Sequence, residues 1–502
     1  MDTSKNLGPS TAPTSVAGEG ETSFRSSLGV GSIVFMVVAA AAPLGVVAAT
    51  FPVIISVEQS IGAPLFLLMV TALLTVFAVG YTAMSRYVPN AGAFYSYIQA
   101  GLGRIIGTGC ATLAYVSYLM LLVGSTTYLG VNASNAGRIF LHIDLPWWAW
   151  CLIAFALAGY LGYRNVDLSA RVLGLVLVLE AVIVIVIDTA IILQGGEEGL
   201  SAEPFSPSML TQGAPGLGFM FAFLCFLGFE ATAVFRNEAK DPVRTIPRAT
   251  YIAVIGIGLF YTVTMWCVIM GVGPSRAVAV TGDDPTVAVL NLASEYVGPI
   301  ARDVMLVLLV SSQFACTLAF HNVLTRYQYT MGTKGVIPRS LGRISAKHHA
   351  PSRSSAVISL ITVVSMMMIV ALGLDPISEA FTWLSGAATL GIIIIIMMTT
   401  TGIAVIRFFR HHPTSDGTWT TLIAPAVSSI GMVVVLVIAI QNFGLLVGEN
   451  TAAEVALGVI LAVAFAAGVI IAVTMRRYRP AHYESLERDS DKTQQQSKTT
   501  NL

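Results

Sequence analysis

SIVFMVVAAAAPLGVVAATFP, residues 32–52, is apolar for a full bilayer thickness yet carries Pro43 and Gly45 at its centre. Proline removes a backbone donor and clashes with the preceding turn, while glycine tolerates unusual dihedrals. Around them Ala39 to Ala42 are small, so other groups can approach the backbone. A second interrupted stretch, GLGFMFAFLCFLGFEATAVF at residues 216–235, has Gly228, Phe229 and Glu230 in the middle. Each break leaves carbonyls on one side and N–H groups on the other, in the middle of an apolar helix. The N–H end suits a carboxylate and the carbonyl end suits an ammonium or a cation. A zwitterionic amino acid offers both groups; a bare amine would use only the carbonyls.

The rest of the chain supplies the setting. Of 502 residues, 55% are hydrophobic and 11% charged, and mean hydropathy is +0.78. Soluble domains carry roughly 25% charged residues, so this chain must face lipid over most of its outside. Charge is balanced at 27 basic and 27 acidic residues, giving no basic field for nucleic acid. Cys110, Cys151, Cys225, Cys267 and Cys316 lie in apolar runs without paired spacing, which excludes a disulfide framework or thiolate metal site.

A span needs about 20 mostly apolar residues. Twelve such runs, numbered helices 1 to 12 in chain order, occur near 27–55, 62–85, 105–134, 146–163, 172–194, 216–236, 250–272, 304–325, 355–373, 378–404, 419–441 and 453–475. The fold expected is an all-α polytopic membrane protein. Helices 1 and 6 are each the first helix of a five-helix block, and interrupted helices at matching places point to an inverted repeat with its site at the midplane. The blocks read as 25–203 for helices 1–5, 204–410 for helices 6–10 and 411–478 for helices 11–12. Polar tails, expected to be disordered, occupy 1–24 and 479–502. Neither tail resembles a signal peptide or a soluble domain.

Basic residues set orientation. With both termini cytoplasmic in the cell membrane, only Arg138, Arg276 and Arg302 among the 27 basic residues fall outside. Clusters such as Lys240-Arg244-Arg248, Lys334 to Arg353 and Arg476-Arg477-Arg479 then fall inside, while Glu197, Glu198, Asp283 and Asp284 lie outside.

GFEATAVFRNEAKDPVRTIPRA, Gly228 to Ala249, resembles the helix 6 signature of the amino acid–polyamine–organocation permeases. That signature continues from the break into K-N-P-x-R-x-I-P-x-A. Arg326, Gly335, Pro338 and Pro351 follow the same family's spacing after helix 8, and GLDPISEAFTWLSGAATLG resembles its helix 10. The resemblance covers roughly residues 25–478. It implies a LeuT-like fold of five plus five inverted helices with two added, secondary transport of amino acids or amines, and substrate held between the breaks. The chain departs from many relatives in reading A-A-P-L-G where they have a glycine-rich helix 1 break. Leu224 stands where some carry an aromatic gate, and Arg236-Asn237-Glu238 where paired acids are usual.

The expected substrate site comprises Ala42, Pro43, Leu44, Gly45, Phe226, Gly228, Phe229 and Glu230, with Tyr115, Tyr118, Phe381 and Trp383 as walls or gates. Glu230 either faces the substrate amine or caps its own helix. Glu180 lies in an apolar stretch of helix 5, where the resemblance implies a titrating lysine in proton-coupled relatives. A carboxyl there suits reversible protonation, making a proton the expected coupling ion. Ser311 and Ser312 in helix 8 offer hydroxyls for the alternative, sodium. Asp188 is expected to be hydrated near the outer surface and His321 interfacial, beside a basic loop. The pairs His348-His349 and His411-His412 have no acidic partners nearby, so no metal site is expected.

No span carries a continuous polar stripe for a channel, and no H-E-x-x-H, G-x-S-x-G or phosphate-loop motif marks an enzyme. The expected function is alternating-access transport of a small amino acid, with no cofactor. A permease for a cationic amine such as a polyamine or ethanolamine, or an amino-acid/amine exchanger, is the alternative, and a transporter-like sensor a remote one. The sequence carries no signal of oligomeric state.

Overall fold

The computed structural model describes residues 28–88, 93–164, 166–229, 232, 235–283, 285, 287–345, 350–391, 398–412 and 414–485. The expected tails, Glu230, Asp284, Lys347 and His348-His349 fall outside the described residues, apart from 479–485 of the second tail. The chain is an all-α multi-pass membrane protein. Nine helices among the described residues are long and apolar enough to cross a bilayer. They correspond to helices 1, 2, 3, 5, 7, 8, 9, 11 and 12. Helices 4 and 6 keep shorter apolar cores, Trp147–Leu157 and Pro215–Leu224. Helix 10 is described as Pro376–Phe381, Thr382–Gly391 and Met398–His411, with 392–397 outside the described residues.

Several helices run past their apolar stretches because capping chemistry, not hydropathy, sets their ends. Helix 7 spans Pro242–Val272, where Asp241 accepts a hydrogen bond from Arg244 N and Pro242 occupies the first turn. Those polar residues lie outside the run at 250–272, but proline at the first helical position is pre-organised for the helix. Helix 8 likewise begins at Pro299 and reaches Thr333. Ala93–Leu102 adds a short helix between helices 2 and 3, and Ala277–Asp283 and Ala288–Tyr296 lie between helices 7 and 8.

Buried hydroxyls in the spans mostly satisfy themselves. Thr71, Thr126, Thr250, Thr262 and Thr362 each donate to the carbonyl four residues back, which satisfies the hydroxyl within its own helix, and Thr250 Oγ1 also lies 2.9 Å from Thr232 Oγ1. The outside is greasy instead: Ile430, Val434, Ile440, Val459 and Ile470 of helices 11 and 12 are exposed. Helix 12 packs along helix 3, and helix 2 along helix 7. Helix 1 sits among helices 5, 7 and 8.

The break in helix 1 is narrower than expected. Val30–Ala41 is α-helical, Ala42 alone adopts a left-handed conformation with φ 47°, and Pro43 restarts the helix. Proline disfavours the right-handed region for the residue before it, and here the distortion falls on Ala42. Gly45 has ordinary helical dihedrals, φ −63° and ψ −42°. Its value is space: a Cβ there would collide with the Gln313 carboxamide of helix 8.

In helix 6, Pro215–Leu224 is followed by turns, and Gly228 takes φ +102°. The described residues between Gly228 and Asp241 form no α-helix, and Arg236–Glu238 make a 3-10 turn. Glu230, Ala231, Ala233 and Val234, where the second half of the helix is expected to start, lie outside the described residues.

Candidate substrate site at the crossing of helices 1 and 6

The two breaks meet. A Cβ on Gly228 would lie 3.1 Å from Ala40 Cβ and 3.4 Å from Ala41 N, so glycine permits both the positive φ and the close approach of the two backbones. The same pair of helices is joined at both ends. Leu28 N donates to Glu238 O at 2.9 Å and Lys240 N to Leu28 O at 3.0 Å; at the other end Ala214 N donates to Glu58 O at 2.7 Å. Glu58, which the sequence reading passed over, is wholly buried there against Gly62 and Gly218, and Ser60 donates to its carboxyl.

Beside the crossing lies a cavity of about 210 Å³. Helix 1 contributes Ala40, Ala41, Ala42, Gly45, Val46 and Ala49; helix 6 contributes Phe221, Leu224 and Leu227. Helix 3 presents Leu121, Ser125 and Tyr128, spaced to share one helical face. Helix 8 adds Gln313, Cys316 and Phe320, and helix 10 adds Phe381, Thr382, Ser385 and Gly386. Phe381 stacks on Tyr128 with centroids 4.7 Å apart. No lining residue carries a formal charge. Asp375 caps the start of helix 10 by accepting from Ser378 N at 2.7 Å and Ile377 N at 3.0 Å, bonds that hold its carboxyl below the usual range.

The cavity extends along the half of helix 1 that follows the kink, away from the chain termini. On the opposite side buried arginines tie the elements together. Arg326 of helix 8 makes a two-pronged, buried ion pair with Glu238, Nη2 to Oε2 at 3.0 Å, and lies over the Phe235 ring. Arg236 Nη1 donates to Ser85 O at 2.6 Å.

Of the expected site residues, Ala42 and Gly45 line the cavity, with Leu224 and Phe381. Pro43 and Leu44 are buried in the helix restart rather than on the wall. Phe226 and Phe229 are fully buried, packing edge-on to Tyr261 and Phe77, because a side chain on the far face of the turn points into the core. Gly228 contacts helix 1 and does not line the space. Tyr118 packs against Phe320 and Tyr327, and Tyr115 receives a hydrogen bond from Gln328 Nε2 at 3.3 Å. Helix 3 therefore does form a wall, but one to three turns farther along than those tyrosines. Trp383 is half-buried near Gly448 while its neighbours Phe381, Thr382 and Ser385 face the cavity. Gln313 was missed, although it directly follows the two serines singled out.

Glu180 is buried behind the kink. Its Oε2 accepts from Ser312 Oγ at 2.6 Å and lies 3.4 Å from Leu44 N. Leu44 N is one of the donors exposed by the restart at Pro43, where a carboxylate is favoured. One donor expected to face the substrate is thus taken by the protein's own carboxyl. Ser311 diverges from Ser312, as consecutive helical residues must. It donates to Leu308 O at 2.8 Å and faces an apolar groove with Leu129 and Phe314, so the two serines do not converge on helix 1.

Two further expectations are corrected. Asp188 is buried, accepting from Thr264 Oγ1 at 2.7 Å. His321 is fully buried, with Nε2 3.1 Å from Ser359 Oγ and its ring edge-on to Phe155. No group of three or more histidine, cysteine or acidic residues able to hold a metal occurs among the described residues.

A family profile described as amino acid permease matches residues 28–473, taking in both breaks, the ion pair and the cavity. The chain belongs to the amino acid permease family. It is a transporter, as the resemblance of the helix 6 stretch implied, and not an enzyme. The chain is 24% identical over 377 residues to the branched-chain amino acid permease BcaP of Lactococcus lactis, covering 71% of this chain and 77% of that one. The BcaP of Bacillus subtilis is 23% identical over 304 residues, 56% of this chain and 62% of its own. The low-affinity putrescine importer PlaP of Escherichia coli is 25% identical over 305 residues, 58% and 63% of the two chains.

Proposed function

We propose that this permease moves a small aliphatic amino acid across the cell membrane by alternating access, with the substrate in the cavity at the helix 1 and helix 6 crossing. The observation that carries the reading is the cavity's character. Its volume suits a small molecule, its walls are mostly alanine, valine, leucine and phenylalanine, and its polar groups are hydroxyls, one thiol, one carboxamide and main chain. A branched aliphatic side chain loses little on entering such a space, whereas a second cationic head would lose hydration without an anionic partner among the lining residues. The relatives named for branched-chain amino acids favour the same reading, and the one named for putrescine keeps amine transport as the second.

Both termini are read as cytoplasmic, on the arginine and lysine distribution. The conformation described is then closed inside by Arg326–Glu238, with the cavity on the outer side. Transport requires helices 1 and 6 to pivot against helices 3, 8 and 10. We assign the coupling proton to Glu180, which bridges helix 8 and the kink of helix 1. Ionised, it accepts from both donors; neutral, it holds them less strongly.

The test is competition. Radiolabelled leucine bound to purified protein should be displaced by unlabelled valine and isoleucine, and not by 3-methylbutylamine, which is leucine without its carboxylate. Displacement by the amine and not by the amino acids would replace this reading with the amine permease.

A further inference from the structure

A second cavity, of about 370 Å³, lies far from the crossing, on the face that carries the chain termini. Its wall is basic. Arg104 opens helix 3, Arg407, His411 and His412 close helix 10, and Gln99 and Tyr483 complete the rim. None of its lining residues is acidic. The arrangement is held in place from several directions. The helix 93–102 packs on both helix 3 and the second part of helix 10. The Arg104 guanidinium lies over the Tyr483 ring at 5.0 Å, and His412 stacks on Phe408 with centroids 4.5 Å apart.

The chemistry of these groups converges on an anion. His411 Nδ1 is 2.8 Å from Arg407 O and His412 Nδ1 is 3.1 Å from Phe408 O. A carbonyl accepts, so both rings spend Nδ1–H on the backbone; Nε2 of such a ring accepts while the ring is neutral and donates to a phosphate only as imidazolium. Gly103 precedes Arg104 with no side chain to cap the start of the 33-residue helix 3, which leaves main-chain donors beside the same wall. Two guanidinium groups with adjacent main-chain amides match the oxygens of a phosphate.

The position selects the source of that phosphate. Ile403, one turn before Arg407, and Ile106, just after Arg104, are both exposed apolar residues on the spans. The cavity therefore opens where the lipid-facing surface gives way to polar residues, at headgroup depth. Exposed Arg476 and Arg477 of helix 12 mark the same boundary. We propose that this cavity binds the phosphate of an anionic phospholipid headgroup, linking helices 3 and 10 through one lipid. Basic pockets between spans recognise anionic headgroups by this chemistry.

The test uses the full chain reconstituted in phosphatidylcholine vesicles with phosphatidylglycerol, then extracted in mild detergent and weighed intact by native mass spectrometry. The expected result is retained phosphatidylglycerol in clear excess over phosphatidylcholine. In Arg407→Gln that retention should fall about fivefold, the factor for one basic residue near the surface. Arg407→Lys should keep most of it. Thermal unfolding of each variant in detergent identifies any that misfolds, and Arg407→Lys then carries the comparison. Equal retention of the two lipids, or retention unchanged in Arg407→Gln, would overturn the proposal. So would inorganic phosphate bound by the detergent-solubilised protein without any preference for phosphatidylglycerol, which would assign the cavity to a soluble phosphate compound.

Discussion

Glu180 Oε2 receives a hydroxyl from helix 8 and faces a main-chain donor from helix 1, so one oxygen ties two elements together. If its proton couples transport, Glu180→Gln fixes the neutral form at nearly constant shape. In proteoliposomes that variant should bind leucine with affinity close to the parent's while losing the stimulation of uptake by an inward proton gradient. Sodium-driven uptake indifferent to the pH gradient in the unmodified protein would contradict the assignment. The acid itself was legible in the sequence because a carboxyl in an uninterrupted apolar run needs a reason. Its partners were not, since they lie 132 and 136 residues away and only packing brings them near. Phe381 lines the cavity, and the other expected aromatic walls do not, for a related cause. Composition marks Tyr115, Tyr118, Phe226 and Phe229 as large and amphipathic or apolar, but only the rotation and depth of each helix decide which face meets the cavity. Glu230, on which recognition of an amine would rest, lies outside the described residues.

Helix 1 owes its kink to one dipeptide. Pro43 disfavours the right-handed conformation at Ala42, and a left-handed alanine costs roughly 1–2 kcal/mol, so losing the proline favours relaxation of the kink. Pro43→Ala should let Ala42 relax, straighten helix 1 and reduce leucine binding at least tenfold. Ala42→Gly should keep the kink and the binding, because glycine adopts positive φ without the steric cost. Equal binding by the two variants, measured by scintillation proximity, would show that the kink does not shape the site. The existence of both breaks was readable from Pro43 and Gly228, since each removes a regular helical option. Their extent was not. Whether one residue or a whole turn unwinds depends on what packs alongside, here Gln313 against Gly45 and Ala40 against Gly228.

Helices 1 and 6 are fastened to each other at both ends and touch at their breaks, which makes them a natural unit for rocking against the remaining bundle. The closed side is held by Arg326 and Glu238, buried partners from helix 8 and the segment after helix 6. Removing one partner of a buried pair costs about 3–5 kcal/mol, because it strands the other charge. Glu238→Gln should therefore weaken the closed side. In a cysteine-free background carrying Ala41→Cys, it should raise labelling by an impermeant thiol reagent applied from the termini side. Unchanged labelling would mean that other contacts form the seal. The multi-pass architecture was legible from the charge content and twelve apolar runs, because lipid leaves few alternatives to a helix. Helix lengths were not, because Pro242 and Pro299 start helices in polar sequence that hydropathy discounts. The most direct measurement is equilibrium binding of radiolabelled leucine to purified parent and to Ala49→Phe, a variant that fills the cavity from helix 1 without touching the kink, Glu180 or the ion pair. The parent should bind saturably, and Ala49→Phe should lose binding at least tenfold while unfolding at a similar temperature. Unchanged affinity in a folded Ala49→Phe would place the substrate somewhere other than the crossing of helices 1 and 6.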